Sequence, residues 1–308
     1  MKFVNTKFDV NDIEILQSLT QDHRKPYTEI ASDLSISRNT VNTKIRKLLE
    51  NNIIDNYTIL VDPNWFFQKI IFLEIKTNPH EPWLAEQLQN LPQCEWIDGI
   101  IGEYSLIIKC AIKDDFTATL NQIDSLMAKS ASKKYQIIDT IQCYKENGHR
   151  FGKRSKVPQQ LNQKDQLLIK ILRNQGKKPL TTNQISQYLK KKGIQISQPA
   201  VFKRIKKLEE NNIVEGFTIS INYKEFGYKT KFYVRIKVDP ASYKSVALEF
   251  LSKQPQIYDL YRTGENYGLL AIIRTADIDS FNTLIQNLYT DSRILDTYTT
   301  LVLEERKK

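Results

Sequence analysis

The sequence predicts an α+β chain in which two winged helix-turn-helix domains alternate with two ferredoxin-like βαββαβ domains. Three observations predict it. The chain repeats itself at a spacing of 160 residues. Within each copy the hydrophobic period shifts from the helical 3.6 to the strand value of 2. In each copy a serine-capped helix is followed by an extended, β-forming segment.

The repeat is read directly from residue identities. Ser37, Val41, Ile45, Lys47, Leu48, Asn51, Asn52, Ile53, Thr58 and Ile59 recur as Ser197, Val201, Ile205, Lys207, Leu208, Asn211, Asn212, Ile213, Thr218 and Ile219. Upstream, Asp12 answers to Asp165 and Lys25-Pro26 to Lys178-Pro179, so the second copy has gained seven residues, most of them in Lys190–Ile194. The predicted domains are 1–64 and 161–227, each a winged helix-turn-helix, and 65–145 and 228–308, each ferredoxin-like, with a basic linker at 146–160.

Each helix-turn-helix opens with an amphipathic run, Asp12–Leu19 and Asp165–Leu172. A short second helix follows, around Ile30-Ala31 and Ile185. The third helix has Ser37 or Ser197 as N-cap, Pro199 in a tolerant first-turn position, and the stripe Val41/Ile45/Leu48 or Val201/Ile205/Leu208. Ile53–Val61 and Ile213–Ile221 read as wing strands. Strands are then expected at Lys69–Thr77, Glu95–Ile101, Tyr104–Ile112 and Tyr135–Cys143, with helices at Trp83–Leu91 and Asp115–Met127. In the second copy they are expected at Lys229–Val238, Ile257–Arg262, Tyr267–Thr275 and Ile294–Leu303, with helices at Ser242–Ser252 and Ile278–Leu288.

Composition and charge narrow the function. The 308 residues are 41% hydrophobic and 26% charged, which suits a folded chain. No apolar run reaches the roughly 18 residues of a membrane span, and Met1–Asn11 lacks a secretory apolar segment, so a cytoplasmic protein without membrane partners is expected. The three cysteines and three histidines are scattered, so no metal site is expected, and Cys94, Cys110 and Cys143 read as small strand hydrophobes. Gly148-x-x-x-Gly152-Lys153-Arg-Ser155 is one residue short of a phosphate loop, and no cofactor or catalytic constellation is expected. The net charge of +10 is uneven: −1 over 1–64, −2 over 65–145, +11 over 146–227 and +2 over 228–308. A polyanionic partner, double-stranded DNA, is the expectation.

A third helix of this kind lies in a major groove. Its outward residues carry the chemistry of base and phosphate recognition: Ser37, Arg38, Asn39, Asn42, Thr43, Lys44 and Arg46 in the first copy, and Ser197, Gln198, Phe202, Lys203, Arg204, Lys206 and Lys207 in the second. The charge distribution suggests that the second copy supplies general affinity and the first supplies discrimination.

Taken together, Asp-x-x-x-x-x-x-Leu in helix one, the capped helix ending Lys-Leu, the Asn-Asn-Ile that follows and the βαββαβ order resemble the Lrp/AsnC family over 9–145 and again over 162–305. The doubled chain departs from the usual single unit. The resemblance implies a transcriptional regulator, not an enzyme, with RAM/AsnC-type ligand-binding domains. It implies a small-molecule effector such as an amino acid at Gly102-Glu103-Tyr104-Ser105 and Gly264-Glu265-Asn266-Tyr267, although Ser105 stands where amino-acid-responsive relatives carry Asp. Because a four-stranded sheet leaves one face uncovered, the ferredoxin-like domains are expected to pair, either as an intrachain pseudo-dimer or between chains, with homo-oligomers following. Two alternatives share the domains. Siroheme decarboxylases resemble one another through an Arg-Arg-Ile-Gly wing and a His-Asn-Tyr strand. Here these read Asn56-Tyr57-Thr58-Ile59 and Glu215-Gly216-Phe217-Thr218, then Trp96-Ile97-Asp98 and Tyr258-Asp259-Leu260. An architectural, sequence-tolerant DNA-binding protein is the other.

Overall fold

Asp9 starts the first helix by accepting the Asp12 amide while Asp12 accepts the Asp9 amide, a reciprocal cap at 2.9 and 3.0 Å. From there the structure, a computed structural model, describes residues 8–61, 69–112, 115–151 and 161–307. The chain divides into two units, Met1–Trp65 with Lys153–Gly227, and Phe66–Gly152 with Tyr228–Lys308.

In the first unit, α1 (Val10–Gln21), α2 (Tyr27–Asp33), α3 (Arg38–Glu50) and β1 (Ile54–Leu60) are matched by α6 (Gln163–Arg173), α7 (Thr182–Lys191), α8 (Gln198–Glu210) and β7 (Gly216–Ile221). Helix α1 buries Ile13, Leu16 and Leu19, α3 buries Val41, Ile45 and Leu48, and α8 buries Val201 and Leu208. The segments expected as wing strands pair with each other: β1 and β7 form an antiparallel ribbon in which Thr58 faces Thr218. The ribbon is anchored crosswise. The amide of His23 donates to the Phe217 carbonyl at 2.9 Å, and the Tyr57 amide donates to Gly176 at 2.9 Å. A two-stranded ribbon leaves outer-edge groups open, and these crosswise bonds satisfy those of Tyr57 and Phe217. His23 is buried edge-on against Tyr57 and Phe217, and burial holds its imidazole below the usual histidine range.

The second unit is built on β2 (Lys69–Ile75), α4 (Pro82–Gln89), β3 (Cys94–Ile100), β4 (Leu106–Ile112), α5 (Phe116–Met127), β5 (Tyr135–Glu146) and β6 (His149–Arg150). It continues with β8 (Thr230–Val238), α9 (Tyr243–Ser245), β9 (Ile257–Thr263), β10 (Gly268–Thr275), α10 (Ile278–Leu288) and β11 (Ile294–Lys307). The strands run β2-β4-β3-β11-β8-β10-β9-β5-β6, and β5 also pairs with β2, so eight of them close into an antiparallel ring. The two closing strands each serve both halves. β5 lies on β2 through Tyr135–Asp139 and on β9 from Thr140, and β11 lies on β8 through Leu301 and on β3 from Val302.

Alternation along the strands then sorts the side chains. Ile71, Leu73 and Ile75 pack under α4 and α5, and Val234, Ile236 and Val238 join the matching cluster with α10. Ile70, Phe72, Tyr233, Tyr261, Leu270 and Ile272 point the other way, into the ring. That interior also holds charge. Lys231 meets Asp98 at 2.5 Å, and the Tyr233 hydroxyl donates to the same carboxylate. Lys109 meets Glu146 at 2.6 Å and Glu95 at 3.0 Å and lies over the Trp96 ring.

Two expectations change here. Part of the expected 146–160 linker is ordered: Asn147 and Gly148, with φ of 52° and 80°, make a two-residue turn that returns the chain as β6, and Phe151 is buried. Residues 152–160, with Lys153 to Lys156, lie outside the described residues. The helix expected at Ser242–Ser252 is present from Pro240 to Lys253 but is not a regular α-helix: it passes from a 3-10 turn through α9 and the π-type Val246–Phe250 to a second 3-10 turn, with Val246, Ala247 and Leu251 in the core. Cys94, Cys110 and Cys143 are buried in strands, and no helix among the described residues is long and apolar enough to cross a membrane.

Two outcomes follow for stability. Removing one side of a buried pair leaves the other poorly compensated, so Asp98→Ala should cost about 3–5 kcal/mol in denaturant unfolding, by leaving the Tyr233 hydroxyl without its acceptor and Lys231 with only Glu305, 3.7 Å away. Asp259 is buried with one oxygen unbonded, and burial raises it from 3.8 to about 6 despite Lys109. Because the folded carboxyl holds its proton longer than the unfolded one, the contribution of Asp259 to stability becomes less favourable as pH rises from about 4 through 6. Asp259→Asn should therefore match wild type near pH 4 and exceed it by up to roughly 3 kcal/mol at pH 7, as read from unfolding midpoints across that range.

Candidate nucleic-acid interface and effector cleft

The Ser37 hydroxyl accepts the Thr40 amide at 3.0 Å, and the Ser197 hydroxyl accepts the Ala200 amide at 3.4 Å, so each third helix begins at its expected cap. With the apolar stripe turned inward, Arg38, Asn39, Asn42, Thr43, Arg46 and Lys47 are exposed on α3. On α8, Gln198, Phe202, Lys203, Lys206 and Lys207 are exposed. Arg46 and Lys206 are each 3.8 Å from a glutamate one turn on, an exposed spacing that leaves them available to a stronger anion.

Two residues expected on the reading face are not there. The Lys44 ammonium meets Asp12 at 3.0 Å and also Asp9, and the Arg204 guanidinium meets Asp165 at 2.6 Å. Both sit at the same place in the repeat. They clamp the third helix to the start of the first, and their cationic charge is spent internally. Asp9 accordingly lies below the usual carboxylate range, chiefly through its bond to Lys44.

Each half also holds the other half's third helix. Lys177 donates to Asn52 at 2.9 Å and to the Ile54 carbonyl at 3.0 Å, beyond the C-terminus of α3. Arg24 pairs with Glu209 at 2.6 Å near the end of α8 while stacking on Phe217 at 3.6 Å. Cations suit the negative ends of helices. The exposed cations of α3 and α8 are matched in number, and the basic surplus of the second copy includes the exposed Lys190, Lys191 and Lys192 at the C-terminal end of α7.

In the ring unit, Gly102, Glu103 and Tyr104 meet Glu265 and Tyr267 across a cleft of about 250 Å³. The other three residues expected there do not line it. Ser105 is bound into the hairpin through Ile75, Ile100 and the Thr77 amide, the Gly264 amide donates to Asp139, and Asn266 is exposed. Sequence reasoning missed Glu74, Gln136, Arg235, Tyr298 and Thr300, which rise into the cleft from strands. The signal available was a charge inside each of two apolar strands, Glu74 and Arg235. Glu74 lies opposite Ile107 and Gln136, and Arg235 opposite Leu270 and Tyr298, so they hold equivalent positions in the two halves. They meet at 2.5 Å, and Arg235 also meets Glu265 at 3.0 Å. Burial raises the Glu265 carboxyl even though Arg235 opposes the shift. Gly268 closes the second loop at φ 81°, where a Cβ would come within 2.5 Å of Arg262 and Tyr243.

Comparison with known proteins identifies one domain of each kind. A family model described as winged helix-turn-helix DNA-binding matches residues 8–55, and one described as Lrp/AsnC ligand binding domain matches 231–308. The HTH-type transcriptional regulator FL11 of Pyrococcus horikoshii is 30% identical over 148 residues, covering 48% of this chain and 93% of that protein. LrpA of the same organism is 32% identical over 127 residues, covering 41% and 84%. Among solved structures, the siroheme decarboxylase NirDL shares the fold over 97% of this chain and 92% of its own, with a TM-score of 0.68 and 11% identity. With relatives matched over nearly their whole length and both family models in place, this chain belongs to the Lrp/AsnC family.

Proposed function

We propose that the protein is a sequence-specific DNA-binding transcriptional regulator, and not an enzyme, in which both halves of the chain carry a helix-turn-helix and a ligand-binding domain. The observation that carries this reading is the exposed face of α3, where Asn42 and Arg46 stand clear of any buried structure while Val41, Ile45 and Leu48 hold the helix from behind. Asparagine and arginine offer two-point hydrogen bonding to adenine and guanine edges, and the lysines of α8 neutralise phosphate. The domain boundaries at 64/65 and 227/228 and the pairing of the two ferredoxin-like domains within one chain belong to the same reading, as does a cytoplasmic location.

Titration of full-length protein against an enriched and a random duplex tests it. Lys203→Ala with Lys206→Ala should weaken both duplexes alike and flatten the logarithmic salt slope by about 0.9 for each phosphate no longer neutralised. Asn42→Ala with Arg46→Ala should lower preference for the enriched site by about 1–3 kcal/mol for each base pair no longer read. Equal affinity of wild type for both duplexes would support the architectural alternative instead.

We also propose the Glu74/Arg235 cleft as the effector site, for a small zwitterion such as an amino acid: its carboxylate would take the place of Glu265 on Arg235, which Glu74 also holds, the freed Glu265 would meet its ammonium, and Tyr104, Tyr267 and Tyr298 supply walls. An amino acid that binds should raise the unfolding midpoint in a thermal-shift panel, and Tyr104→Ala with Tyr267→Ala should abolish that rise. A panel with no response from wild type would sink the assignment.

A further inference from the structure

The repeat allows the two third helices to be compared position by position. At the spacing of 160, Arg38 answers to Gln198, Asn42 to Phe202, Thr43 to Lys203 and Arg46 to Lys206. All eight side chains are exposed. Behind them the helices are held alike, by Ser37 and Ser197 at the caps, by Val41 and Val201 in the core, and by the Lys44 and Arg204 clamps on Asp12 and Asp165. Docking has been kept while outward chemistry has changed at all four positions.

The changes alter what can be read. Asn42 and the two arginines of α3 offer paired donors and acceptors to purine edges, whereas Phe202 has neither donor nor acceptor and is suited to the thymine methyl. It is 59% exposed, a ring left in water between Lys203 and Lys206, whose charge complements a phosphate backbone on either side. The two helices belong to one unit joined by the β1–β7 ribbon, in which the equivalent residues Thr58 and Thr218 face each other. That register is the mark of an approximate two-fold axis. Identical readers about a two-fold axis select an inverted repeat. These readers are not identical.

We infer that the chain recognises a non-palindromic duplex site, with a purine-contacting half read by α3 and a thymine-methyl half read by α8. A single chain therefore binds its site in one fixed direction. The inference rests on the proposal that this unit reads DNA sequence, and the experiment separates the two.

Full-length protein is used to select from a random duplex library, followed by sequencing, beside the surface variant Q198R/F202N/K203T/K206R, whose unfolding midpoint should equal that of wild type. Wild type should enrich two dissimilar half-sites, and the variant should enrich an inverted repeat of the α3 half. In titration, a duplex carrying two inverted copies of the α3 half should bind wild type about tenfold more weakly than the selected site. An inverted repeat selected by wild type, or an unchanged asymmetric site selected by the variant, would overturn this inference and leave DNA recognition standing. No enrichment by wild type would instead remove the DNA-reading proposal, and the inference with it.

Discussion

The ring closes because β5 and β11 are long enough to serve two half-sheets each. A half-sheet with one helix-covered face has two problems, an open hydrogen-bonding edge and an uncovered apolar face. Strand exchange answers the first and brings the uncovered faces together, which answers the second. Everything in the interior follows from that closure. The Lys109 and Lys231 ammoniums, which a one-sided sheet would leave in water, are sealed in and must find carboxylates there. The same crossing raises Glu74 and Arg235 into a cleft that neither half could make alone. The ribbon of the other unit repeats the device on a smaller scale, each strand bonded to the other half's turn after its first helix.

How much of this was legible in the sequence depended on whether the controlling interaction was local. The helices were, because capping serines and apolar stripes act within one or two turns, and α10 falls at the expected Ile278–Leu288. The strands of the ring were legible from alternation to within a residue or three at most ends. What escaped was set by partners far along the chain. Nothing near Ile54 shows that its strand will pair with Gly216–Ile221. The helical wheel puts Lys44 and Arg204 on the polar side, and only the approach of α1 and α6 turns them inward. The Asn147-Gly148 turn was a local signal and was readable, but the surrounding basic residues suggested a linker.

The candidate effector site divides in the same way. Its loops, Gly102–Tyr104 and Glu265 with Tyr267, carry the family resemblance, whereas its floor comes from strand residues whose meeting depends on the register of two halves. Inward-facing charges such as Asp98 and Lys231 look like the solvent side of ordinary alternating strands until both faces are known to be covered. Asymmetry is most evident at these positions. Glu74 and Arg235 are the same place in the fold twice over, and they have become opposite charges.

That opposition bears on how the chain is made. β5 leaves the ribosome more than 100 residues ahead of β9, its later partner, and at about 5–20 residues per second it waits on the order of ten seconds as an open edge. On a polysome the neighbouring nascent chain offers a like half-sheet during that wait. Two such first halves would bring Glu74 against Glu74 at the centre of the joint, where burial makes like charges costly. The arginine that relieves this repulsion arrives only with the chain's own second half, as does the Lys231 that meets Asp98, so both buried pairs favour closure within one chain over pairing of two first halves.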